Sequence, residues 1–313
     1  MNIGILEPLR FSSQAISALR EKGNVTFFDV NKGSLEEFTE NVQILFIRLN
    51  YYLGEDFLSN CKKLKIICSP TTGLNHLDID VIAKRNIQII SLKNESLFLS
   101  NIRATPEHAF GLIISLLRGY KNSFLSNVSN SWDREKHFGY EIFKNKFGII
   151  GLGRIGKILA GYLSSFGAEV SFYDPKEILL PKGNSFTKKN SIKSLIQDSN
   201  IILLCASYTP KDYPIINDKI IDVMKNKFFI NTSRGELIDE EYLIDKIKED
   251  HFKGIALDVI SNETGENRLS KMITLTEDRN FIITPHIGGA TYDSINSTEI
   301  FIVEKLFKYL TKL

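Results

Sequence analysis

Four side chains that could carry out acid–base and anion-binding chemistry follow short apolar runs of the chain: Arg234, Asp258, Glu263 and His286. An arginine between a strand and a glycine can present its guanidinium to a carboxylate in bidentate fashion. His286 stands between a proline and two glycines, and a histidine gains or loses a proton near neutral pH. Because ligands of open parallel α/β sheets bind beyond the carboxyl ends of the strands, we expect these residues to meet at one edge.

The combination suits hydride transfer at C2 of a 2-hydroxy acid or a 2-keto acid. Reduction needs a hydride at C2, a proton on the oxygen and a cation that holds the carboxylate. Nicotinamide would supply the hydride, His286 the proton and Arg234 the cation, while Glu263 would fix the tautomer of His286 and favour its protonated form. Each residue also has a structural alternative: a surface arginine, a solvated glutamate, and a histidine or aspartate (Asp258) that caps or packs.

A glycine-rich turn after an apolar strand predicts a dinucleotide site. Its residues are Gly151, Leu152, Gly153, Arg154, Ile155 and Gly156. Glycines there allow a tight turn, close approach of backbone amides to a pyrophosphate and close packing of the following helix. Asp174 ends the next strand, near the expected spacing of about 20 residues, and a carboxylate there accepts bonds from the ribose hydroxyls and repels a 2′-phosphate. We therefore expect NAD, with NADP as the alternative because Lys176 is close, and a glycine turn without nucleotide as the structural alternative.

The elements that position these residues alternate between short apolar strands and amphipathic helices. This alternation predicts an α/β fold with two parallel-sheet domains, Rossmann-like and flavodoxin-like. The first series of strands runs to about residue 91 and the second from 147 to 284, with one long helix expected over 103–120 and a last helix over 291–310. We expect the boundary between the two domains near residue 98; the strand pattern leaves the last helix free to pack on either domain.

Composition excludes several classes of protein. The 313 residues carry a formal charge of +2, are 43% hydrophobic and 24% charged, which argues against a nucleic-acid partner. The three cysteines have no metal-ligand spacing and are expected to be reduced and buried. The N-terminus is typical of a first strand and not of a signal peptide, and the apolar runs are too short for a membrane span. We expect a cytoplasmic protein without a metal site.

The same motifs resemble those of the D-isomer-specific 2-hydroxyacid dehydrogenase family, on its phosphoglycerate dehydrogenase side. The resemblance rests on the glycine-rich turn with Tyr173-Asp174-Pro175, on Asn231-Thr232-Ser233-Arg234-Gly235, on Leu257-Asp258-Val259 with Glu263, and on Thr284-Pro285-His286-Ile287-Gly288-Gly289. It implies a substrate domain of residues 1–98 plus 287–313, which includes the C-terminal helix, and an NAD domain of residues 99–286. A cleft between them would hold the reaction.

The resemblance also implies a role for individual residues. The catalytic residues would be Arg234, Glu263 and His286. The pyrophosphate would be contacted by Arg154 and Ile155, and the adenine ribose by Asp174. The nicotinamide end would be lined by Thr232, Ser233 and Asp258, and the substrate carboxylate would be held by Thr72, Gly73 and Leu74. A homodimer is implied, with an arm around Ser131-Trp132-Asp133 that reaches the partner.

Several positions depart from the family pattern. Thr71 and Asn75 stand where a glycine and an aspartate are common, and Cys205-Ala206-Ser207 replaces the usual His-Val-Pro. In the phosphoglycerate enzymes of this family an arginine near the position of Asn50 contacts the substrate phosphate. Arg48 lies two residues away, which would displace its side chain by about 6–7 Å along a strand. Two other functions remain open: an NAD-sensing corepressor of the same fold, and a formate dehydrogenase-like enzyme, against which Glu263 argues.

Overall fold

A computed structural model describes residues 1–128, 132–180, 183, 186–208, 214–263 and 270–312. The chain divides into two compact units, Met1–Ile102 with Ala290–Leu313, and Arg103–Gly289. The sequence prediction had drawn these boundaries after residues 98 and 286. Within the described ranges, no helix combines the length and the apolarity that crossing a membrane requires.

The first unit is a parallel sheet with helices on both faces. Its strands are β1 (Asn2–Ile5), β2 (Asn24–Phe27), β3 (Ile44–Phe46), β4 (Ile66–Ser69) and β5 (Gln88–Ser91). Its first helices are α1 (Ser13–Arg20), α2 (Leu35–Thr39), α3 (Glu55–Ser59), α4 (Ile79–Lys84) and α5 (Ser96–Leu99). The strand order β2-β1-β3-β4-β5 is that of flavodoxin-like sheets, whose order reverses between β1 and β3.

The second unit contains a larger parallel sheet. Its strands are β6 (Lys146–Ile150), β7 (Glu169–Tyr173), β8 (Thr187–Lys188), β9 (Ile201–Leu204), β10 (Phe228–Asn231), β11 (Gly254–Leu257) and β12 (Phe281–Ile283). Its helices are α6 (Ala104–Leu117), α7 (Tyr120–Val128), α8 (Arg154–Ser165), α9 (Ile192–Gln197), α10 (Asp218–Asp222), α11 (Glu240–Lys248) and α12 (Ser270–Ile273). The order β12-β11-β10-β9-β6-β7-β8 contains the Rossmann arrangement, with β6 at its centre.

The central strands of both sheets are buried on both faces, which explains their continuous apolar sequences. In the second unit β9, β10 and β11 are buried at every position. Separate clusters of buried side chains cover the two faces, one around Phe229 and the other around Phe147. Polar residues at the ends of these strands are therefore held on a rigid frame.

The helix expected over residues 103–120 corresponds to α6, which begins at Ala104 and ends at Leu117. Gly119, with φ +58°, separates it from α7, which the sequence did not predict. A left-handed residue breaks the helical hydrogen-bond pattern, and glycine adopts that conformation without steric cost.

The last helix, α13 (Tyr292–Leu310), packs on the sheet of the first unit. Thr291 caps its start by accepting the amide of Ser294 at 3.1 Å. Ile302 and Leu306 are fully buried in the cluster that also contains Ile3. The chain therefore returns to complete the unit in which it began.

Candidate active site

His286 and Glu263 form a direct side-chain pair in the second unit. The Nδ1 atom of His286 lies 2.6 Å from Oε2 of Glu263. Both side chains are partly open, with exposed fractions of 22% and 30%, so a substrate can reach them. Because a carboxylate only accepts hydrogen bonds, Nδ1 carries the hydrogen and Nε2 is left to face a ligand.

The backbone of His286 is held in an unusual conformation. Its φ is +51°, which costs a non-glycine residue about 1–3 kcal/mol. The amide of His286 donates to the carbonyl oxygen of Asp258 at 2.8 Å and to that of Thr284 at 2.9 Å. These bonds fix the direction of the side chain.

Asp258 binds the loop that carries His286. Its carboxylate accepts the amide of Ile287 at 2.9 Å and the amide of Gly288 at 2.8 Å. It also accepts the hydroxyl of Thr284 at 2.6 Å and lies 3.2 Å from Nε2 of His108. Burial acts to raise the pKa of this carboxyl, but these hydrogen bonds outweigh burial and hold the pKa below its usual value.

Arg234 lies directly after β10, in a turn that Asn231 organises. The amide oxygen of Asn231 accepts the backbone N–H of Ser233 at 2.9 Å, and its amide nitrogen donates to the carbonyl of Arg234 at 2.9 Å. Burial lowers the pKa of Arg234, and the nearby carboxylates of Glu263 and Glu236 oppose this shift. The guanidinium forms no ion pair with any residue of the described ranges, so it can receive an anion.

Gly235 brings the Arg234 turn against the loop that leads to Glu263. A Cβ atom at position 235 would lie 2.0 Å from the carbonyl carbon of Ile260 and 2.2 Å from the nitrogen of Ser261. The two backbones therefore touch. Glu240 secures the second loop, because its carboxylate accepts the amide of Ser261 at 2.6 Å.

The glycine-rich turn between β6 and α8 has the shape of a phosphate cradle. Gly151 has φ +91°, and a Cβ there would lie 2.7 Å from the backbone of Ala206. A Cβ at Gly156 would lie 2.3 Å from the carbonyl oxygen of Gly151, whereas the space beside Gly153 is open. Gly153 caps the start of α8 without a side-chain hydrogen bond. The start of a helix favours an anion, because its first amides have no acceptor within the helix.

Asp174 follows β7 beside this cradle. Its carboxylate accepts the amide of Leu152 at 2.9 Å and the amide of Lys176 at 2.9 Å. Each oxygen retains a second acceptor site for a ribose hydroxyl. Arg154 opens α8, and burial together with nearby Arg103 lowers its pKa. The cradle, the carboxylate and the helix start fit a dinucleotide.

The other residues named from the sequence divide between the two units. Thr232 and Ser233 lie in the Arg234 turn, where Ser233 donates its hydroxyl to the carbonyl of Leu204 at 2.8 Å. Ile155 lies on α8. Thr72, Gly73 and Leu74 lie after β4 in the first unit, where Thr71 donates its hydroxyl to the carbonyl of Gly73 at 2.8 Å. Ser131 lies outside the described residues.

Sequence reasoning missed His108, which lies in the first turns of α6 and contacts both Thr284 and Asp258. The signal was present, since a chain with five histidines placed one of them just inside a helix. Over the described ranges, no group of three or more histidine, cysteine or acidic side chains is arranged to hold a metal ion.

The family profile described as D-isomer specific 2-hydroxyacid dehydrogenase, NAD binding domain, matches residues 110–288. The D-3-phosphoglycerate dehydrogenase of Escherichia coli (strain K12) is 31% identical over 302 residues, covering 95% of this chain and 72% of that protein. The hydroxypyruvate reductase of Thermotoga maritima is 26% identical over 309 residues, covering 98% of each chain. The chain belongs to the D-isomer specific 2-hydroxyacid dehydrogenase family.

Solved structures agree on the fold. A D-lactate dehydrogenase from Aquifex aeolicus, complexed with NAD and lactic acid, superposes with a TM-score of 0.85 at 24% identity, covering 99% of this chain and 96% of that one. The predicted family, the two parallel-sheet α/β domains and the NAD cofactor are confirmed. The chain is an NAD-dependent oxidoreductase that transfers a hydride between nicotinamide and C2 of a small 2-hydroxy or 2-keto acid.

Proposed function

We propose that His286, Glu263 and Arg234 are the residues that act on the substrate. The observation that carries this proposal is the 2.6 Å pair between His286 and Glu263, with Arg234 on a loop whose backbone touches the Glu263 loop. Reduction of a 2-keto acid requires a proton donor, a carboxylate that orients the donor, and a cation that can bind the substrate. Arg234 is such a cation, because it has no ion-pair partner among the described residues.

The chemistry of each residue follows from its contacts. The nicotinamide cofactor, when bound, would supply the hydride to C2 as NADH or accept it from C2 as NAD⁺. In reduction, Nε2 of His286 gives its proton to the keto oxygen, and the carboxylate of Glu263 stabilises the histidine cation before transfer. Arg234 holds the substrate carboxylate with two N–H groups, which fixes the face of C2 that receives the hydride. In oxidation the same atoms act in reverse, and His286 accepts the hydroxyl proton.

The nucleotide is held by the second unit in this proposal. Gly151, Gly153, Gly156, Arg154 and Ile155 surround the pyrophosphate, and Asp174 binds the adenine ribose. The support is the open space beside Gly153 and the free acceptor sites of Asp174.

The nicotinamide end and the substrate carboxylate have separate sets of residues. Thr232, Ser233 and Asp258 line the nicotinamide end, although the carboxylate of Asp258 already accepts four hydrogen bonds within the protein. In the first unit, Thr72, Gly73 and Leu74 bind the substrate carboxylate through their backbone. That unit is thus the substrate domain and the other the NAD domain.

We also infer that the substrate carries no phosphate. Arg48 cannot serve as its receptor, because its guanidinium is bound by the buried carboxylate of Glu299 and by the carbonyl of Leu9 at 3.0 Å. The amides of Leu49 and Asn50, at 3.2 and 3.1 Å, donate to the carboxylate of Glu7, and so does the amide of Arg48. The anion site of this loop is therefore already filled by an acidic side chain.

The test is NADH oxidation by the purified protein with glyoxylate, hydroxypyruvate, pyruvate, 2-ketoglutarate and phosphohydroxypyruvate. Turnover with a keto acid that lacks phosphate, and less with phosphohydroxypyruvate, is the expected result. Preference for phosphohydroxypyruvate would contradict the inference that Arg48 and the loop bound by Glu7 cannot receive a substrate phosphate. Tight NADH binding without turnover on any acid would favour the NAD-sensing corepressor instead.

We also propose an assembly state and a cellular location for the protein. Trp132 and Phe138 are 94% and 75% exposed, and large exposed apolar side chains mark interaction surfaces. We infer a homodimer through this arm, which light scattering of the wild type and of a Trp132→Ser variant would test.

The free thiols of Cys61, Cys68 and Cys205 support the proposed cytoplasmic location, which fractionation of cells would check.

A further inference from the structure

Asp258 accepts three backbone N–H groups of the loop that carries His286. The carbonyl oxygen of Asp258 accepts the amide of His286, and its carboxylate accepts the amides of Ile287 and Gly288. Three successive N–H groups thus converge on Asp258. The position of the imidazole follows from the position of this aspartate.

Asp258 is in turn held by α6. Nε2 of His108 lies 3.2 Å from Oδ1 of Asp258 and 3.1 Å from Oγ1 of Thr284. The hydroxyl of Thr284 already donates to Asp258 at 2.6 Å. Because the carboxylate offers only acceptors, Nε2 of His108 must carry a hydrogen and donate it. The bond therefore fixes both the tautomer of His108 and the rotamer of Asp258.

Packing reinforces this contact. A Cβ atom at Gly288 would meet Oδ2 of Asp258 at 2.8 Å, Cγ2 of Thr105 at 3.4 Å and Cδ2 of His108 at 3.7 Å. The first turns of α6 therefore lie directly against the loop. Farther along the helix, Leu112 and Ile113 are buried in the core, so His108 sits on a rigid element.

We propose that His108 is a positioning residue for the dehydrogenase reaction: through Nε2 it fixes Asp258 and Thr284, and through them the backbone conformation that aims His286. The proposal rests on the proposed role of His286 as proton donor. In this proposal His108 acts through Asp258 and Thr284 and not directly on the substrate or the nucleotide. A displaced reacting group can cost about 10²-fold in rate for a shift of 1 Å, so the effect is expected in kcat.

The test compares His108→Leu with His108→Gln. Leucine removes the donor, whereas glutamine can place an amide N–H near the position of Nε2. We expect His108→Leu to lower kcat by about 10- to 100-fold, with the Kd for NADH within about twofold of wild type. We expect His108→Gln to recover kcat to within about threefold. A purely structural role would not be rescued in this way.

A matched control is available in the same unit. His251 is also buried, and its Nε2 lies 3.0 Å from the carbonyl oxygen of Ile221. It precedes β11, whereas Asp258 follows β11, so the two lie at opposite ends of the strand. His251→Leu is expected to lower thermal stability and to leave kcat of the folded fraction unchanged.

Three outcomes would overturn the proposal: wild-type kcat in His108→Leu, equal losses in the leucine and glutamine variants, or an equal loss in His251→Leu. If His108→Leu does not fold, Thr284→Val provides a second test, because it removes the hydroxyl at nearly constant volume. It should show the same loss of kcat with intact NADH binding. Wild-type kcat in Thr284→Val would also overturn the proposal. Full turnover in His286→Ala would instead contradict the proposed function, which keeps the two failures distinct.

Discussion

Replacement of Gly235 by alanine tests whether contact between two loops builds the site. The new methyl group would lie 2.0 Å from the carbonyl carbon of Ile260 and 2.2 Å from the nitrogen of Ser261. Both neighbours are backbone atoms and cannot rotate away. An ordinary contact begins at 3.4 Å, so the loops must separate by about 1.4 Å, comparable with the length of a covalent bond.

The consequence for catalysis follows from what the two loops carry. Arg234 precedes the substituted residue, and Glu263 follows the displaced one by two positions. A shift of about 1 Å in a reacting group can cost about 10²-fold, so kcat/KM should fall by at least that factor. Overpacking of this kind costs about 1–3 kcal/mol of unfolding free energy. NADH binding should change little, because the glycine-rich turn lies on another strand.

The assay is steady-state NADH oxidation with the best keto acid, together with urea unfolding. Gly161→Ala is the matched control: Gly161 lies in α8 with nothing within 4 Å of its added Cβ. That change should leave kcat/KM unaltered and raise the unfolding free energy by about 0.5–1 kcal/mol. Wild-type kcat/KM in Gly235→Ala would refute the argument that this contact aligns Arg234 with Glu263.

Further predictions concern single side chains of the site. His286→Ala should abolish most turnover and leave NADH binding nearly intact, measured by fluorescence titration; comparable activity would refute the proton-donor role. Asp174→Ala should weaken NAD binding and reduce discrimination against NADP, and an unchanged ratio of kcat/KM values would contradict the ribose assignment. Because the pKa of Asp258 lies below its ordinary value, its ionised form stabilises the fold above about pH 4, and this contribution is lost as pH falls through the folded pKa. Urea unfolding between about pH 5 and pH 3 should thus show a steeper loss in wild type than in Asp258→Asn; equal slopes would contradict it.

Much of the fold and site was predictable because local sequence decides it. Gly151 and Gly156 are required where a side chain would collide with backbone, so the glycine pattern alone marked the nucleotide turn. Arg234 follows a fully buried strand and His286 follows a partly buried one, and parallel strands bring their carboxyl ends to one edge. Those signals are short in range and do not depend on the rest of the chain.

The unpredicted features depend on contacts between distant residues. His108 and Asp258 are 150 positions apart in the chain, and no periodicity in either segment shows that they meet. The same holds for Glu7, whose carboxylate accepts the amides of Leu49 and Asn50, more than 40 residues later in the chain. The end of α6 at Leu117, before the predicted residue 120, depends on the left-handed conformation of Gly119, which the apolar pattern does not show.

The first unit is assembled from both ends of the sequence, and this has a consequence for how the protein forms during synthesis. Glu299, fully buried on α13, pairs with Arg48, and Ile302 completes the cluster around Ile3. A ribosome that adds about 5–20 residues per second needs on the order of 10–40 s to pass from the end of the first segment to α13. The continuous second unit can fold during that interval. The segment that ends at Ile102 therefore leaves the ribosome well before α13 can cover it, and its apolar side chains remain accessible to chaperones in the meantime.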